Sequence, residues 1–382
     1  MLSLVLNGAI NILIVVSIFG VVIFIHELGH YIAARLLGAK VLEFSLGMGP
    51  KIIGKKIKGI EYNLRAFPIG GYVQILGEGD NEDDDAKNPG NLKNRPKSAQ
   101  LVIMLSGVVM NLLLAVAIYY YFIISFGFKW PLGEELKDFE PFYGEVKIEK
   151  VADLKYSEIV EDGGFAEAET PESGLIKSVD GEVIDTSDQL IIYIQKHKDS
   201  EVNFELCNEE CTVYPVKVSK DGKAGILLPQ NYEVNLMYDG NRKYLSGFAH
   251  SLNMVKLIAG KLSEISDEAQ ETGDYEPVLT SVSGPIGVYF AVDHFKQFGI
   301  LTLVGFIADF SLTLTILNLL PIPALDGGRV ILLLVEMITG KPLNKKFEAT
   351  LINVSFALLM LLMVAIILKD IIYIDVFKRL FE

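Results

Sequence analysis

A long apolar run at residues 4–25 constrains the fold of this chain more than any other feature. The run is softened by Asn7 and Asn11 and is long enough to cross a bilayer. Backbone in lipid must satisfy its own hydrogen bonds, so such a run spans the membrane as a helix. Further runs of this kind lie at residues 101–128, 300–320 and 351–368. With 51% apolar residues, they predict a multi-span α-helical membrane protein with about four transmembrane helices.

The first run ends in the motif His26-Glu27-Leu28-Gly29-His30. Histidines four residues apart lie on one face of a helix, so both imidazoles can bind the same metal ion. Glu27 follows the first histidine and can reach a water molecule at that metal. This HExxH spacing is typical of zinc peptidases, although so short a pattern also occurs by chance in soluble helices. Ionisable groups inside a membrane helix are costly and usually functional, which favours the zinc site.

The loop at residues 39–97 determines the expected orientation. It is rich in Lys and Arg, and short loops of this composition stay in the cytoplasm. Within it, residues 60–76 predict β-strands or a β-hairpin, and the acidic run at residues 78–85 is expected to be solvated and mobile. The N-terminus lacks a basic region and a cleavage site, so we expect no cleaved signal peptide. The net charge of −14 argues against nucleic-acid binding.

Residues 129–244 form a polar insert, which span counting places outside the cytoplasm. Short β-type runs lie at 144–151, 175–179, 202–206 and 212–218, and a helix is expected at 186–196 with Ser187-Asp188 as its cap. A strand, an Asp180-Gly181 turn and a second strand resemble the core of a PDZ domain. The sequence therefore predicts an inserted α+β PDZ-like extracytoplasmic domain.

Cys207 and Cys211 are the two cysteines of the chain. Their spacing fits a metal half-site, a redox pair or a small disulfide loop, and the lack of a second cysteine pair disfavours a structural zinc. Export of the segment favours the disulfide.

A third metal ligand is expected at Asp326. Pro321 and Pro323 break the third span, and a broken helix in a membrane is tolerated where it lines a cavity. Span counting brings Asp326 to the same side and depth as the two histidines, giving a His₂-carboxylate set with a position left for water. The competing interpretation is an ordinary loop turn at Asp326. Asn111 in the second span either forms hydrogen bonds between helices or has a role near the site. Asp309 is assigned no catalytic role.

The boundaries that follow are 1–37 for the first transmembrane helix, 38–98 for the cytoplasmic loop with its membrane-associated β-hairpin, 99–128 for the second transmembrane helix, 129–244 for the PDZ-like domain, 245–299 for connecting helices, 300–328 for the third transmembrane helix and its Leu-Asp-Gly motif, and 329–382 for the fourth transmembrane helix and a tail. In the connecting region, residues 244–265 are amphipathic and lie either on the membrane surface or against the soluble domain. Ser283–Gly287 is expected to be a turn before an apolar helix.

These motifs together resemble the site-2 protease family, in particular its bacterial regulator-of-sigma-E protease type. The resemblance rests on the HExxH motif, on Gly70-Gly71-Tyr72-Val73 in the loop, on the PDZ-like insert, and on Asn318, Pro321, Pro323 and Asp326 near the end of the third span. It implies a zinc-dependent intramembrane endopeptidase of the bacterial inner membrane. By resemblance, His26, His30 and Asp326 bind Zn²⁺ and Glu27 is the general base.

The same resemblance assigns the remaining residues and partners. Asn318 and the Pro321/Pro323 loop would hold an unwound substrate, and the strand at Gly70–Val73 would pair with it. Substrates would be single-span membrane proteins such as anti-sigma factors, or remnant signal peptides, in contact with membrane lipid. The PDZ-like domain would act as a size filter or sensor, although some relatives carry two such domains. Two rival functions are a non-enzymatic membrane scaffold and a membrane zinc peptidase that acts on soluble or surface peptides.

Overall fold

The structure is a computed structural model that describes residues 2–78, 88–160, 163–208 and 210–374. Of the expected acidic run only Glu78 lies within these residues, and the end of the expected tail lies outside them. The described helices are α1 (Leu2–Leu36), α2 (Lys97–Ser125), α3 (Gly164–Glu167), α4 (Ser187–Lys196), α5 (Ser246–Thr272), α6 (Glu276–Ser281), α7 (Pro285–Phe295), α8 (Ile300–Leu319), α9 (Asp326–Thr339) and α10 (Lys345–Ile372).

The described strands form four small sheets. They are β1 (Val41–Ile57), β2 (Ile60–Ile75), β3 (Lys129–Leu132), β4 (Glu145–Lys150), β5 (Lys155–Tyr156), β6 (Glu158–Ile159), β7 (Gly174–Val179), β8 (Glu182–Val183), β9 (Glu201–Cys207), β10 (Cys211–Lys217), β11 (Ile226–Leu227) and β12 (Tyr232–Met237). The chain divides into two compact units, of which unit 1 comprises residues 1–122 and 244–382 and unit 2 comprises residues 123–243.

Four helices of the described residues, α1, α2, α8 and α10, are long and apolar enough to cross a membrane, which confirms the expected spans. Two of them begin earlier than the apolar runs suggest. Helix α2 begins directly after Pro96, a residue that is tolerated at a helix start but not within a helix. Helix α10 begins at Lys345 because the side chain of Asn344 accepts hydrogen bonds from the backbone N–H groups of the first turn.

Helix α9 is an element that the sequence reasoning did not predict. It occupies the start of the segment expected to hold only the fourth span and a tail. The helix ends at Gly340, whose φ of 66° is left-handed and satisfies a carbonyl of the last turn. The region between α8 and α10 is therefore a separate helix whose first residue is Asp326.

The amphipathic segment forms most of helix α5. Its first turns pack on the second span: a Cβ at Gly247 would lie 2.5 Å from the backbone oxygen of Val116. The ring of His250 packs edge-on against Tyr119 with 4.7 Å between centroids. The chain then turns at Ser283–Gly287 into helix α7, as expected.

Strands β1 and β2 form one hairpin, and this corrects the interpretation of residues 60–76. That segment is a single strand, and its partner β1 was not predicted. Residues 51–57 pair antiparallel with 60–65, and residues 41–46 pair antiparallel with 71–75, whereas the register of residues 43–46 with 61–64 is parallel. The hairpin turns at Lys58 and Gly59, which both have positive φ, as a two-residue turn requires. Phe44 has both Val73 and Tyr62 as partners, so the segment around it lies between two parts of β2. Residues 71–75 are therefore at an edge, with no second strand partner among the described residues.

The hairpin packs on the part of α1 that follows the HExxH motif. Its buried residues share one cluster with Ala33 and Ala34 of α1 and Ile103 of α2; the strand members are Val41, Phe44, Ile60, Val73 and Ile75. Burial of apolar surface in this cluster stabilises the arrangement, with each Å² removed from water contributing about 25 cal/mol. The cluster holds the edge formed by residues 71–75 beside the motif.

Unit 2 has its own core. Its sheets have the strand orders β10-β9-β7-β5, with β8 also paired to β7, then β11-β6, and β3-β12-β4. Asp180 and Gly181 both have positive φ and join β7 to β8, as the Asp-Gly signal predicts. The cap of α4 is Thr186, in a capping box with Gln189, and not Ser187-Asp188. Thr186 has the extended backbone that a cap requires, whereas Ser187 is already helical.

Candidate metal centre

Three side chains from two distant parts of the chain converge in unit 1. The Nε2 atoms of His26 and His30 lie 3.2 Å apart. Oδ2 of Asp326 lies 3.1 Å from Nε2 of His26 and 3.3 Å from Nε2 of His30. Ligands of a tetrahedral zinc ion at about 2.1 Å are about 3.4 Å from one another. The buried Oδ2 of Asp326 has no hydrogen-bond donor, so the three atoms fit a divalent metal ion.

The break between α8 and α9 positions Asp326. Helix α8 ends at Leu319, and the proline-containing connection turns the chain so that α9 begins at Asp326. A Cβ at Gly327 would lie 2.3 Å from the backbone oxygen of Leu319, and one at Gly328 would lie 2.1 Å from that of Ile322. Both glycines are therefore needed for the first turn of α9 to approach the connection this closely.

Helix α2 approaches the HExxH motif closely because glycine occupies both sides of the contact. A Cβ at Gly29 would lie 2.3 Å from the backbone oxygen of Ser106. A Cβ at Gly107 would lie 2.3 Å from Nε2 of His30 and 2.8 Å from Nε2 of His26. Glycine at position 107 thus leaves the space that the two imidazoles occupy.

Helix α2 also contacts the far ring nitrogen of each histidine. Nδ1 of His30 lies 2.8 Å from the backbone oxygen of Ile103, which can only accept, so a neutral His30 with its proton on Nδ1 presents an unprotonated Nε2 to Asp326. The side-chain amide of Asn111 lies 3.4 Å from Nδ1 of His26. Of the two alternatives for Asn111, the structure thus favours the position close to the site. Sequence reasoning singled out Asn111 but could not orient its side chain.

Glu27 is 8% exposed and lines a cavity of 930 Å³ together with both histidines and Asp326. The strand edge lies directly against it, since a Cβ at Gly71 would be 3.1 Å from Cγ of Glu27. The cavity combines apolar walls with a few convergent polar groups, as ligand-binding sites do.

The structure brings most of the expected substrate-binding residues to this cavity. Gly70, Gly71, Tyr72, Val73 and Asn318 line it. Pro321 and Pro323 do not, and the following Ala324 and Leu325 take their place. The last span contributes apolar side chains that sequence reasoning did not assign to the site, namely Phe356, Leu359, Met360 and Met363.

A partly buried carboxylate holds the strand that borders the cavity. Oε1 of Glu43 accepts hydrogen bonds from the side chains of Ser45, Asn63, Arg65 and Tyr72. Burial alone would raise the pKa of Glu43, but these donors outweigh it and lower that pKa to about 2. The carboxylate is thus ionised and fixes Tyr72 at the cavity wall.

Two ion pairs hold α9 in place. Arg329, one turn after Asp326, pairs with Glu78 at the end of the hairpin. Lys97 at the start of α2 pairs with Glu336, with 2.5 Å between Nζ and Oε2. Neither pair was predicted, because each joins segments far apart in the sequence. Asp309, in contrast, accepts a hydrogen bond from Tyr119, 2.6 Å away, and does not line the cavity.

Cys207 and Cys211 lie opposite each other on β9 and β10 in unit 2, and their sulfur atoms are bonded. This arrangement matches the disulfide favoured among the three alternatives.

Comparison with known proteins gives matches along nearly the whole chain. Residues 14–362 match peptidase family M50. A Clostridium acetobutylicum protein whose name describes a zinc metalloprotease is 32% identical, covering 95% of this chain and 98% of that protein. The regulator of sigma-W protease RasP of Bacillus subtilis is 27% identical, covering 93% and 97%. The chloroplastic membrane metalloprotease ARASP of Arabidopsis thaliana is 26% identical, covering 97% and 80%.

Proposed function

Because the chain belongs to peptidase family M50 and is a zinc metalloprotease with membrane-spanning helices, we propose that it cleaves the transmembrane segments of single-span membrane proteins. The observation that carries the proposal is the position of the His26, His30 and Asp326 cluster. It lies in a cavity that is walled by apolar spans and bordered by an open strand edge. A peptide segment drawn from the bilayer would meet the cluster and the edge together.

In this proposal, His26, His30 and Asp326 hold the zinc ion, as their convergent nitrogen and oxygen atoms support. The chemistry that zinc supplies when bound is Lewis acidity, which makes water a better nucleophile and polarises the scissile carbonyl. Glu27 accepts the proton of the attacking water and then donates it to the leaving amine. Its burial beside Gly71 places this carboxylate where a peptide on the strand edge would pass.

The substrate helix must unwind before cleavage, because its carbonyl groups are covered by their own helical hydrogen bonds. Residues 71–75 offer an edge on which an extended peptide could regain backbone hydrogen bonds. Each such bond contributes about 0.5–1.5 kcal/mol, which offsets part of the cost of unwinding. Asn318 lines the same cavity and would bind a backbone group of the peptide.

The proposed substrates are anti-sigma factors or remnant signal peptides. One relative is named a regulator of sigma-W protease, and a substrate that controls a sigma factor is consistent with that name. We place the chain in the bacterial inner membrane with the metal centre towards the cytoplasm, because the loop at residues 39–97 is rich in Lys and Arg. Unit 2 would then be an extracytoplasmic PDZ-like domain that limits substrate size.

The test is the Glu27→Gln variant in detergent or vesicles with a single-span test substrate. Gln has the same shape but cannot accept the proton, so cleavage is expected to fall at least about 100-fold, in line with the loss of a general base. Bound zinc, measured by atomic emission, is expected to remain stoichiometric. Glu61→Gln is the matched control, because Glu61 lies half-exposed on the hairpin away from the cavity.

A second comparison separates this function from its rival. A soluble peptide with the sequence around the scissile bond should be cleaved poorly relative to the same sequence within a transmembrane segment. Equal rates on both would favour a peptidase of soluble peptides, and cleavage by Glu27→Gln at the wild-type rate would contradict the mechanism.

A further inference from the structure

Asn111 is fully buried in the second span, and its side-chain amide is not fully hydrogen-bonded. Its Oδ1 has no hydrogen-bond partner, while its Nδ2 faces Nδ1 of His26 at 3.4 Å. Ser311 of α8 donates to the backbone oxygen of Asn111 and leaves the side chain to other partners. A buried amide oxygen without a donor is rare in folded proteins, so this contact requires an explanation.

The chemistry of His26 determines which amide atom should face it. If Nε2 of His26 binds the metal, its proton must be on Nδ1, because a neutral imidazole carries a single N–H. That N–H needs an acceptor, and an amide nitrogen is only a donor. Rotating the amide by 180° exchanges its two ends and brings Oδ1 to the position that faces Nδ1.

The opposite arrangement is incompatible with metal binding at His26. If Nδ2 donates to Nδ1, the imidazole proton must be on Nε2. That atom lies 3.2 Å from Nε2 of His30 and 3.1 Å from Oδ2 of Asp326, at the centre of the cluster. A proton there would occupy the metal position. His30 already has the required arrangement, with its Nδ1 proton donated to the backbone oxygen of Ile103.

We propose that Asn111 is a positioning residue whose side-chain oxygen accepts the Nδ1 proton of His26 and thereby directs Nε2 towards zinc. The inference rests on the proposed role of His26 as a ligand. Ile103, Gly107 and Asn111 are spaced four residues apart and therefore form one stripe on α2. This stripe supplies an acceptor for one histidine, space for both rings and an acceptor for the other.

The test compares two variants that differ only in whether an acceptor is retained. Asn111→Leu keeps the approximate volume and removes the acceptor, and Asn111→Asp keeps the shape and is an acceptor when ionised. Zinc affinity of the purified full chain is measured by competition with a chromophoric chelator. We expect Asn111→Leu to bind zinc about 10–100-fold more weakly, as for other outer partners of metal-binding histidines. Asn111→Asp should stay within about threefold of the wild type.

Asn11→Leu is the matched control. Asn11 is also a buried asparagine of a span, but it bonds to Asp293 and Lys296 at the far end of α1. Its replacement can lower stability and should leave zinc affinity unchanged.

A second measurement works on the wild-type chain alone. In ¹⁵N-labelled, zinc-loaded protein, the NMR shifts of His26 should show a protonated Nδ1, assigned by comparison with His26→Ala. A protonated Nε2, a zinc affinity of Asn111→Leu equal to wild type, or an Asn111→Asp affinity as weak as that of Asn111→Leu would overturn the inference. None of these readouts uses a substrate, so they stand apart from a failure to cleave transmembrane segments.

Discussion

The two histidines of the candidate metal centre leave no space for a side chain at Gly107. Any larger residue there would have its Cβ 2.3 Å from Nε2 of His30, well inside contact distance. We expect Gly107→Ala to displace the histidines and lower zinc affinity at least about tenfold, which is the loss seen when a ligand's support is disturbed. Zinc affinity is measured by chelator competition in detergent.

Gly20→Ala is the control for this substitution. Gly20 is also a glycine within a span, but a Cβ there meets nothing within 4 Å. Alanine favours a helix over glycine by up to about 1 kcal/mol, so this variant should bind zinc normally and be at least as stable as wild type. Equal zinc affinity for Gly107→Ala and wild type would show that α2 can move away without cost.

Individual site residues differed in how far the sequence could predict them. The HExxH spacing predicts two histidines on one helix face, and the proline break before Asp326 predicts the end of a span. The sequence therefore sufficed to predict the grouping that the structure has. Gly107 could not be predicted, because its role depends on the distance between two helices. Pro321 and Pro323 were expected at the cavity, but they shape the connection while their neighbours line the cavity.

Within the β1–β2 hairpin, the partly buried carboxylate of Glu43 accepts four side-chain hydrogen bonds. The pKa of Glu43 is lowered to about 2 from an ordinary value of 4.5, despite burial, by hydrogen bonds from Ser45, Arg65, Asn63 and Tyr72. The folded hairpin therefore binds a proton less readily than the unfolded one. Its contribution to stability is complete above about pH 4.5 and is lost as the pH falls towards 2.

Hydrogen-exchange protection of residues 41–75, corrected for intrinsic rates, measures this effect. Protection is expected to fall between pH 4.5 and 2 in the wild type. Glu43→Gln should have lower protection at pH 6 and a weaker pH dependence in that window. A parallel loss of protection in the two proteins would contradict the assignment to Glu43.

Among the elements, the long helices and the longer strands of unit 2 were predicted, whereas β1 and α9 were not. The four predicted β-type runs of the insert match β4, β7, β9 and β10 to within one residue at each end. The spans were predicted from the length of the apolar runs alone, which is a local property of the sequence. The structure confirms four helices that are long and apolar enough to cross a membrane. Strand β1 contains Gly47, Gly49, Pro50 and Gly54 and lacks regular alternation. Its strand conformation comes from pairing with β2, which is a tertiary effect. Helix α9 was not predicted, because a short apolar segment that follows a helix break resembles part of a membrane span in sequence.

Across the whole molecule, zinc should stabilise unit 1 and leave unit 2 unchanged. The three candidate ligands all belong to unit 1, and unit 2 has a separate core. A ligand present at 100 times its Kd adds about 2.7 kcal/mol to the free energy of unfolding. Removing zinc with a strong chelator should therefore lower the melting temperature of the helical signal in circular dichroism.

The single tryptophan of the chain makes this measurement selective. Trp130 lies in β3 of unit 2, so its fluorescence reports unit 2 while circular dichroism is dominated by the long helices of unit 1. The fluorescence transition should not move when zinc is removed. Asp326→Ala should reproduce the low melting temperature with or without added zinc, and an equal shift of both signals would show that the two units unfold together.

The family and the zinc requirement that the sequence suggested are confirmed by the comparisons. The resemblance was specific because its motifs are spread along the chain, so no single short pattern decided it. The PDZ-like nature of unit 2 remains a prediction, because strand and turn signals define a sheet but not a binding function.

The separation of the ligands along the chain has a consequence for biogenesis. His26 and His30 enter the membrane with α1, whereas Asp326 begins α9, after most of the chain has been synthesised. At translation rates of about 5–20 residues per second, the interval is on the order of tens of seconds. A nascent chain therefore carries an incomplete ligand set throughout its insertion. In the proposed assignment, the metal centre cannot form before the segment that contains Asp326 has been synthesised.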